Sequence, residues 1–95
     1  MIKVLIKRKV PSEKGKQILP LFKKMRSLAM EQPGYISGET LRNYNDPEEY
    51  LVISVWKSAD DWQNWLESRE RQQVQEEIDA LLGGRTEYSV YHHGL

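Results

Sequence analysis

Hydrophobic residues recur along this chain with two different spacings, and the order of those spacings limits the folds available to it. A two-residue spacing, as in Ile2, Val4 and Ile6, is typical of a strand with one buried face. By spacing or by β-branched and aromatic content, strands are predicted at residues 2–10, 35–44, 50–57 and 86–93. Apolar residues three and four apart predict helices at residues 12–29 and 58–82. The order β-α-β-β-α-β predicts an α+β, ferredoxin-like fold, in which an antiparallel four-stranded sheet carries both helices on one face.

Several residues indicate where the helices begin and break. Ser12 is a favourable N-cap for the first helix, and Pro20 within its apolar stripe predicts either a kink or a later helix start. Ser58 begins the second helix, with Asp61 three residues later as a carboxylate variant of the capping box. Ser68 and the charged residues after it allow this helix to break into two pieces.

The predicted sheet has one face that the helices do not cover. Gly38 predicts a bulge in the second strand, and the polar turn at residues 45–47 predicts an antiparallel hairpin. The third strand is apolar on both faces, so both faces need cover, and Trp56 is expected at the helix–sheet or dimer contact. A second copy of the same sheet is the simplest cover for the far face, which predicts a homodimer.

Composition excludes several classes of partner. The length of 95 residues predicts one domain spanning 1–95. Fourteen Lys and Arg balance fourteen Asp and Glu, so nucleic acid and anionic membranes are not expected partners. The chain has no cysteine, which suits a reducing cytoplasm and leaves no thiolate nucleophile or Cys-based zinc site. No apolar run is long enough to span a bilayer, and no export signal is visible.

Two sequence segments resemble the antibiotic biosynthesis monooxygenase family. They are VWKSADDWQNWLES at residues 55–68, which closes the third strand and opens the second helix, and QPGY at residues 32–35. The resemblance covers nearly the whole chain and implies a dimeric α+β barrel. It also implies oxidation of a phenol or quinol by molecular oxygen without a cofactor.

One branch of that family degrades haem, and this chain resembles it at Trp65. The haem-binding histidine of that branch would fall at Gln75, and its first-strand asparagine near Lys7. An amide nitrogen is not an imidazole-type iron ligand. Haem binding or degradation is therefore a minor alternative.

The candidate substrate-binding residues are aromatic. Trp62 and Trp65 share one helix face and could form a wall for a flat substrate, with Trp65 favoured by the family resemblance. Tyr88 is a candidate because a phenol hydroxyl can donate to a bound quinone oxygen. Packing in the core is the alternative for each of them.

The candidate catalytic residues lie on strands. His92 is the preferred general base, because an imidazole titrates near neutral pH. His93 points to the opposite face, so the two histidines cannot share one pocket or one metal ion. Arg42 and Asn43 could stabilise an oxyanion, although a solvated strand edge is the favoured explanation for both.

Two functions of different classes follow. The first is a cofactor-independent monooxygenase that oxidises an aromatic phenol or quinol with O2, without cofactor or metal. The second is a non-catalytic dimeric module that binds a small ligand. The sequence has no GxGxxG, Walker, HExxH or GxSxG motif to support other activities.

Overall fold

The computed structural model describes residues 1–93 and has the element order that the sequence predicts, with the second helix divided in two. The strands are β1 (Ile2–Lys9), β2 (Tyr35–Arg42), β3 (Glu49–Trp56) and β4 (Glu87–His92). The helices are α1 (Gly15–Met30), α2 (Ala59–Glu67) and α3 (Arg69–Leu82), with a short 3₁₀ helix (Ser12–Lys14) before α1.

The four strands form one antiparallel sheet in the order β2-β3-β1-β4. Ile2 pairs with Trp56 of β3 on one side and with His92 of β4 on the other. The alternating burial along β1 places Ile2, Val4 and Ile6 on the face that the helices cover. The order and burial confirm the predicted α+β, ferredoxin-like arrangement.

The start of α1 differs from the prediction in two respects. Ser12 does not cap the helix; its backbone N–H and its hydroxyl both donate to the Glu48 carboxylate, at 2.9 and 3.2 Å. The helix also begins five residues before Pro20, so the expectation of a later start is wrong. Pro20 lies on the exposed side of α1, where water can hydrogen-bond the carbonyl that the proline leaves without an N–H donor.

The irregularity in β2 lies earlier than predicted. The pairing of β2 with β3 shifts between Tyr35 and Ser37, so Ile36 is the extra residue and Gly38 pairs regularly with Ser54. A Cβ at Gly38 would lie 2.5 Å from the Tyr35 hydroxyl. Gly38 is therefore needed for the close approach of this side chain rather than for a bulge.

Side-chain caps separate the pieces of the second helix. The Ser58 hydroxyl accepts from the Asp61 N–H at 3.1 Å and donates to the Asp61 carboxylate at 2.9 Å, which confirms the predicted start of α2. Ser68 has an extended backbone between α2 and α3, and its hydroxyl accepts from the Arg71 N–H at 3.2 Å. The break predicted after the first turns of this helix is thus confirmed at Ser68.

The two faces of the sheet differ in cover. The helix-facing core includes Trp56, which is fully buried and donates from its indole N–H to the Ser54 hydroxyl at 3.0 Å. On the far face, Leu5 and Ile53 pair across β1 and β3 and are partly exposed, and Leu41 is exposed. Among residues 1–93 no helix has the length and apolar character needed to cross a bilayer.

Candidate active site

A small cavity lies between the sheet and the helices. Its volume is about 60 Å³. Strands β1, β2 and β3 form its floor, with Ile6, Val52 and Ser54 among the floor residues, and all three helices contribute to its walls. It is the same space that the helix-facing core surrounds, so the pocket is part of the packed interior.

Aromatic rings form one wall of the cavity. Trp62 and Trp65 of α2 are both buried and both line it, together with Trp56 and Tyr35. The ring centres of Trp56 and Trp62 lie 5.9 Å apart, and those of Tyr35 and Trp56 lie 5.4 Å apart, both edge to face. Such contacts fix the rings, so the wall is rigid and suited to a flat, apolar molecule.

Two arginines bring positive charge into this apolar space. Arg8 of β1 is 3% exposed and Arg71 of α3 is 2% exposed, and both line the cavity. Arg8 donates to the Gln75 side-chain carbonyl at 2.9 Å, and Arg71 donates to the Tyr88 hydroxyl at 2.8 Å. Both acceptors are neutral, and the Nε–H of each arginine has no hydrogen-bond partner.

Aromatic rings also contact both guanidinium groups. The Arg8 guanidinium carbon lies 5.2 Å from the centre of the Phe22 ring, and that of Arg71 lies 5.6 Å from Trp62 and 5.2 Å from Tyr88. These cation–π contacts offset part of the cost of burying the charges.

Burial lowers the pKa of Arg8 to about 10. The charge of Arg71 lowers this pKa further, while Tyr88 and Asp79 act in the opposite direction. The dominant cause is desolvation, which disfavours the charged form of any buried base. The site therefore concentrates positive charge where water does not screen it.

The exposed residues of the cavity lining lie on α1 and the edge strand β2, which places the mouth of the cavity between these two elements. Arg26 of α1 donates to the Gly38 carbonyl at 2.6 Å, and both residues line the cavity. Arg26 is exposed, so its side chain spans the opening from the solvent side.

Sequence comparison identifies the family of the chain. The profile of the antibiotic biosynthesis monooxygenase family matches residues 1–77. The chain belongs to this family. Protein SchA of Streptomyces halstedii is 24% identical over 68 residues, which are 72% of this chain and 18% of SchA. The chain thus matches less than a fifth of the length of this curated relative.

Solved structures share the fold of this family member. A conserved protein from Methanosarcina mazei Go1 superposes with a TM-score of 0.88 and 21% identity, over 96% of this chain and 90% of that protein. SnoaB, a cofactor-independent oxygenase from Streptomyces nogalater, superposes with a TM-score of 0.79 and 18% identity, over 99% of this chain and 93% of SnoaB. At these identities the likeness establishes the fold.

The structure brings the aromatic candidates of this antibiotic biosynthesis monooxygenase family member together. Trp62 and Trp65 line the cavity, and the Tyr88 ring centre lies 6.1 Å from that of Trp62. Tyr88 is 38% exposed and lies outside the cavity lining, and its hydroxyl accepts from Arg71 at 2.8 Å. The roles of all three in substrate binding stay predictions.

The three candidate catalytic residues lie outside the cavity lining. Arg42 donates to the Pro47 carbonyl at 2.6 Å, and the Asn43 amide donates to Glu49 at 2.9 Å, so both side chains hold the β2–β3 turn. His92 is exposed on β4, and its ring lies 3.4 Å from the carbonyl oxygen of His93. Their catalytic roles stay predictions that the geometry does not test.

Gln75, the residue at the expected haem-ligand position, belongs to a polar network. Its amide group accepts from Arg8 and donates to Asp79 at 2.8 Å and to Thr86 at 3.0 Å. The network joins β1, α3 and the segment before β4, and it holds the Arg8 guanidinium beside the cavity.

Arg8 and Arg71 are the site residues that the sequence analysis missed. Arg8 continues the buried two-residue series of Ile2, Val4 and Ile6, which is an unusual position for a charge. Arg71 precedes the buried Val74 by three residues on the apolar face of α3. In both cases the sequence signal was a charged residue at a position where the strand or helix pattern predicts a buried apolar residue.

Proposed function

We propose that this chain is a cofactor-independent oxygenase that oxidises a small aromatic phenol or quinol with O2. The observation that carries the proposal is the cavity itself, in which a rigid wall of Trp62 and Trp65 faces two buried cations. Membership of the antibiotic biosynthesis monooxygenase family supports the reaction class.

The residues have distinct roles in this proposal. Trp62 and Trp65 hold the aromatic ring, while Arg8 and Arg71 stabilise negative charge as it forms. A positive charge nearby favours the phenolate, which is the electron-rich form that transfers an electron to O2. For a phenol with an oxidisable carbon, one oxygen atom enters the product, the other leaves as water, and the substrate supplies the electrons.

His92 is our proposed base for the phenolic proton, with Arg42 and Asn43 as further donors toward negative charge. All three residues lie outside the cavity lining. Separate His92→Ala and His93→Ala variants test whether His92 acts as the base. Turnover that falls about tenfold only in His92→Ala supports an imidazole base. Unchanged turnover in both variants leaves the two arginines as the groups that promote deprotonation.

Oxygen uptake tests the reaction. Purified, chelator-treated protein is mixed with a panel of quinols and phenols of one to three rings, and the rate is compared with protein-free autoxidation. We expect turnover above this blank and, with ¹⁸O₂ and a phenol, one labelled oxygen atom in the product. A rate equal to the blank across the panel would favour the non-catalytic ligand-binding module instead.

Variants of one aromatic residue link the rate to the cavity. Trp65→Phe is expected to lower kcat/KM about tenfold because it removes part of the wall while keeping an aromatic core residue. Tyr44→Ala is the control, since Tyr44 is 97% exposed in the β2–β3 loop. Equal rates in the wild-type protein and both variants would separate the activity from this cavity.

We further propose that the protein is a homodimer formed through the far face of the sheet, as a second copy would cover the apolar residues there.

A further inference from the structure

We infer that the cavity binds an aromatic carboxylate, with the carboxylate group held by Arg8 and Arg71 and the ring against Trp62 and Trp65. This inference rests on the proposed function and deepens it, because it names the charge that the substrate carries before any reaction begins. One carboxylate balances one of the two positive charges, and the other remains to stabilise the phenolate as it forms.

The first step concerns the uncompensated charge. Two arginine residues that are at most 3% exposed lie beside one cavity, and neither forms an ion pair with a carboxylate within residues 1–93. Buried charges in proteins are normally paired. Asp79, the acidic residue whose field reaches Arg8, accepts instead from the Gln75 amide. A ligand anion would supply the missing charge.

The second step concerns the free donors. The Nε–H groups of Arg8 and Arg71 are buried without acceptors, although each arginine already uses a terminal nitrogen on a neutral oxygen. Most buried N–H groups have a partner, so two orphans beside one cavity point to an acceptor that reaches them when the guanidinium groups turn toward a ligand. Carboxylates bind guanidinium groups through adjacent N–H donors, which Nε and a terminal nitrogen provide.

The third step concerns the rest of the ligand. The rest of the lining is mainly apolar and includes Phe22, Met25 and the tryptophans, so an inorganic anion would leave most of the surface without a suitable contact. Its polar residues Glu39 and Thr40 are exposed on the edge strand β2. The cavity volume of about 60 Å³ is below the roughly 150 Å³ of an apolar protein cavity that holds benzene. A ring that contacts the tryptophans would therefore extend toward Arg26, on the open side between α1 and β2.

Matched ligands that differ in one group test the inference. Binding of 2,5-dihydroxybenzoate and of 2,5-dihydroxybenzamide is measured by calorimetry without oxygen, and inorganic phosphate is a third arm. We expect the carboxylate to bind about tenfold or more tightly than the amide, and phosphate to bind more weakly than the carboxylate. A ratio of carboxylate to amide affinity below about threefold, or no binding of the carboxylate, would overturn the inference.

Substitutions of the two buried arginines test whether they cause the preference for the carboxylate over the amide. Arg8→Met and Arg71→Met are each expected to reduce the ratio to about threefold or less. Arg69→Met is the matched control, because it removes the same charge from an exposed position on the same helix as Arg71 and should keep the full ratio. An unchanged ratio in both buried-site variants would place the anion elsewhere.

A measurement on the wild-type protein avoids any dependence on how the variants fold. The arginine Nε–H signals in a ¹⁵N NMR spectrum report directly on the two orphan donors. We expect two of these signals to shift with 2,5-dihydroxybenzoate and to stay in place with the amide. Shifts confined to exposed arginines would contradict the assignment.

Aerobic oxygen uptake with the same two quinols separates this inference from the proposed function. Tight anaerobic binding of the carboxylate, with no turnover above the blank for these two quinols or for any member of the panel, would end the oxygenase proposal and keep the anion site. Turnover of both quinols with equal KM would keep the oxygenase and overturn the anion site.

Discussion

Arg8 occupies a position in β1 where the strand pattern calls for an apolar residue. Its neighbours on the same face are Val4 and Ile6, and its guanidinium contacts the Phe22 ring and one neutral carbonyl. Removing a cation from water costs several kcal/mol, which such contacts offset only in part. We therefore expect Arg8 to lower the stability of the ligand-free protein, as polar groups held for binding often do.

The residue-scale prediction is that Arg8→Met stabilises the ligand-free protein by about 1–4 kcal/mol while abolishing the preference for carboxylates. Methionine keeps most of the side-chain volume and brings no charge into the core. The free energy of unfolding is measured by urea denaturation, with Arg69→Met as the exposed control that should differ little from wild type. A large loss of stability in Arg8→Met would mean that the Arg8 hydrogen bond and ring contact outweigh its desolvation.

The pH dependence of this difference follows from the lowered pKa of Arg8, which is about 10. Up to about pH 9 the arginine is charged in both the folded and the unfolded chain, so the full cost of burial is present. Above about pH 10 the folded chain releases this proton before the unfolded chain does, and the cost declines. The stability advantage of Arg8→Met should therefore be constant from pH 6 to 9 and narrow above about pH 10, as followed by urea denaturation at each pH.

The turn between α1 and β2 joins two elements through one glycine. Gly34 has a φ of 84°, and its carbonyl accepts from the Lys57 N–H at 2.8 Å, which ties the turn to the end of β3. A Cβ at this position would overlap the Asp61 side chain, which bonds the Ser58 cap of α2. Gly34 thus permits both the turn and the start of α2.

The element-scale prediction compares two glycines. Gly34→Ala is expected to cost about 2–4 kcal/mol, because it adds left-handed strain and displaces Asp61 from the helix cap. Gly83→Ala is the matched control, since Gly83 has a φ of 60° with no atom near its Cβ position, and it should cost about 1 kcal/mol. Equal losses for the two variants in urea denaturation would show that the Asp61 contact contributes nothing.

The sequence predicted elements better than contacts that cross between them. Spacing and capping residues located four strands, the start of α2 and the break at Ser68, because these depend on neighbours within one or two turns. Ser12 is a residue type that often caps helices, but here it hydrogen-bonds the Glu48 carboxylate. Gly38 is a residue type that often marks a bulge, but here it leaves space for the Tyr35 side chain. Both differences arise from a partner on another part of the fold, which local patterns do not contain.

The candidate site divides in the same way. Trp62 and Trp65 could be selected because a shared helix face and a family motif both point to them, and the structure places both beside the cavity. Arg8 and Arg71 reach the same cavity only because β1 and α3 pack together. In the sequence, each is a single charged residue in an amphipathic segment. A search for charges at apolar positions would have found them.

At the scale of the whole molecule, the far face of the sheet carries partly exposed apolar residues that no helix covers within residues 1–93. Leu5 and Ile53 lie opposite each other on the central strands β1 and β3, with Val55 and Leu41 nearby on the same face. Apolar side chains grouped on one face of a sheet favour contact with a second apolar face. A two-fold contact would place this group against itself.

The whole-molecule prediction is that Ile53→Glu converts a homodimer into a monomer. The change puts a charge at the centre of the far face and opposite Glu39 on β2, so two copies would bring buried like charges together. Leu19→Glu is the matched control, because Leu19 is exposed on α1, away from the sheet. Sedimentation velocity should give a dimer for wild type and Leu19→Glu and a monomer for Ile53→Glu. A wild-type monomer would mean that the apolar far face serves another partner, whereas a dimer in all three proteins would place the contact outside this face.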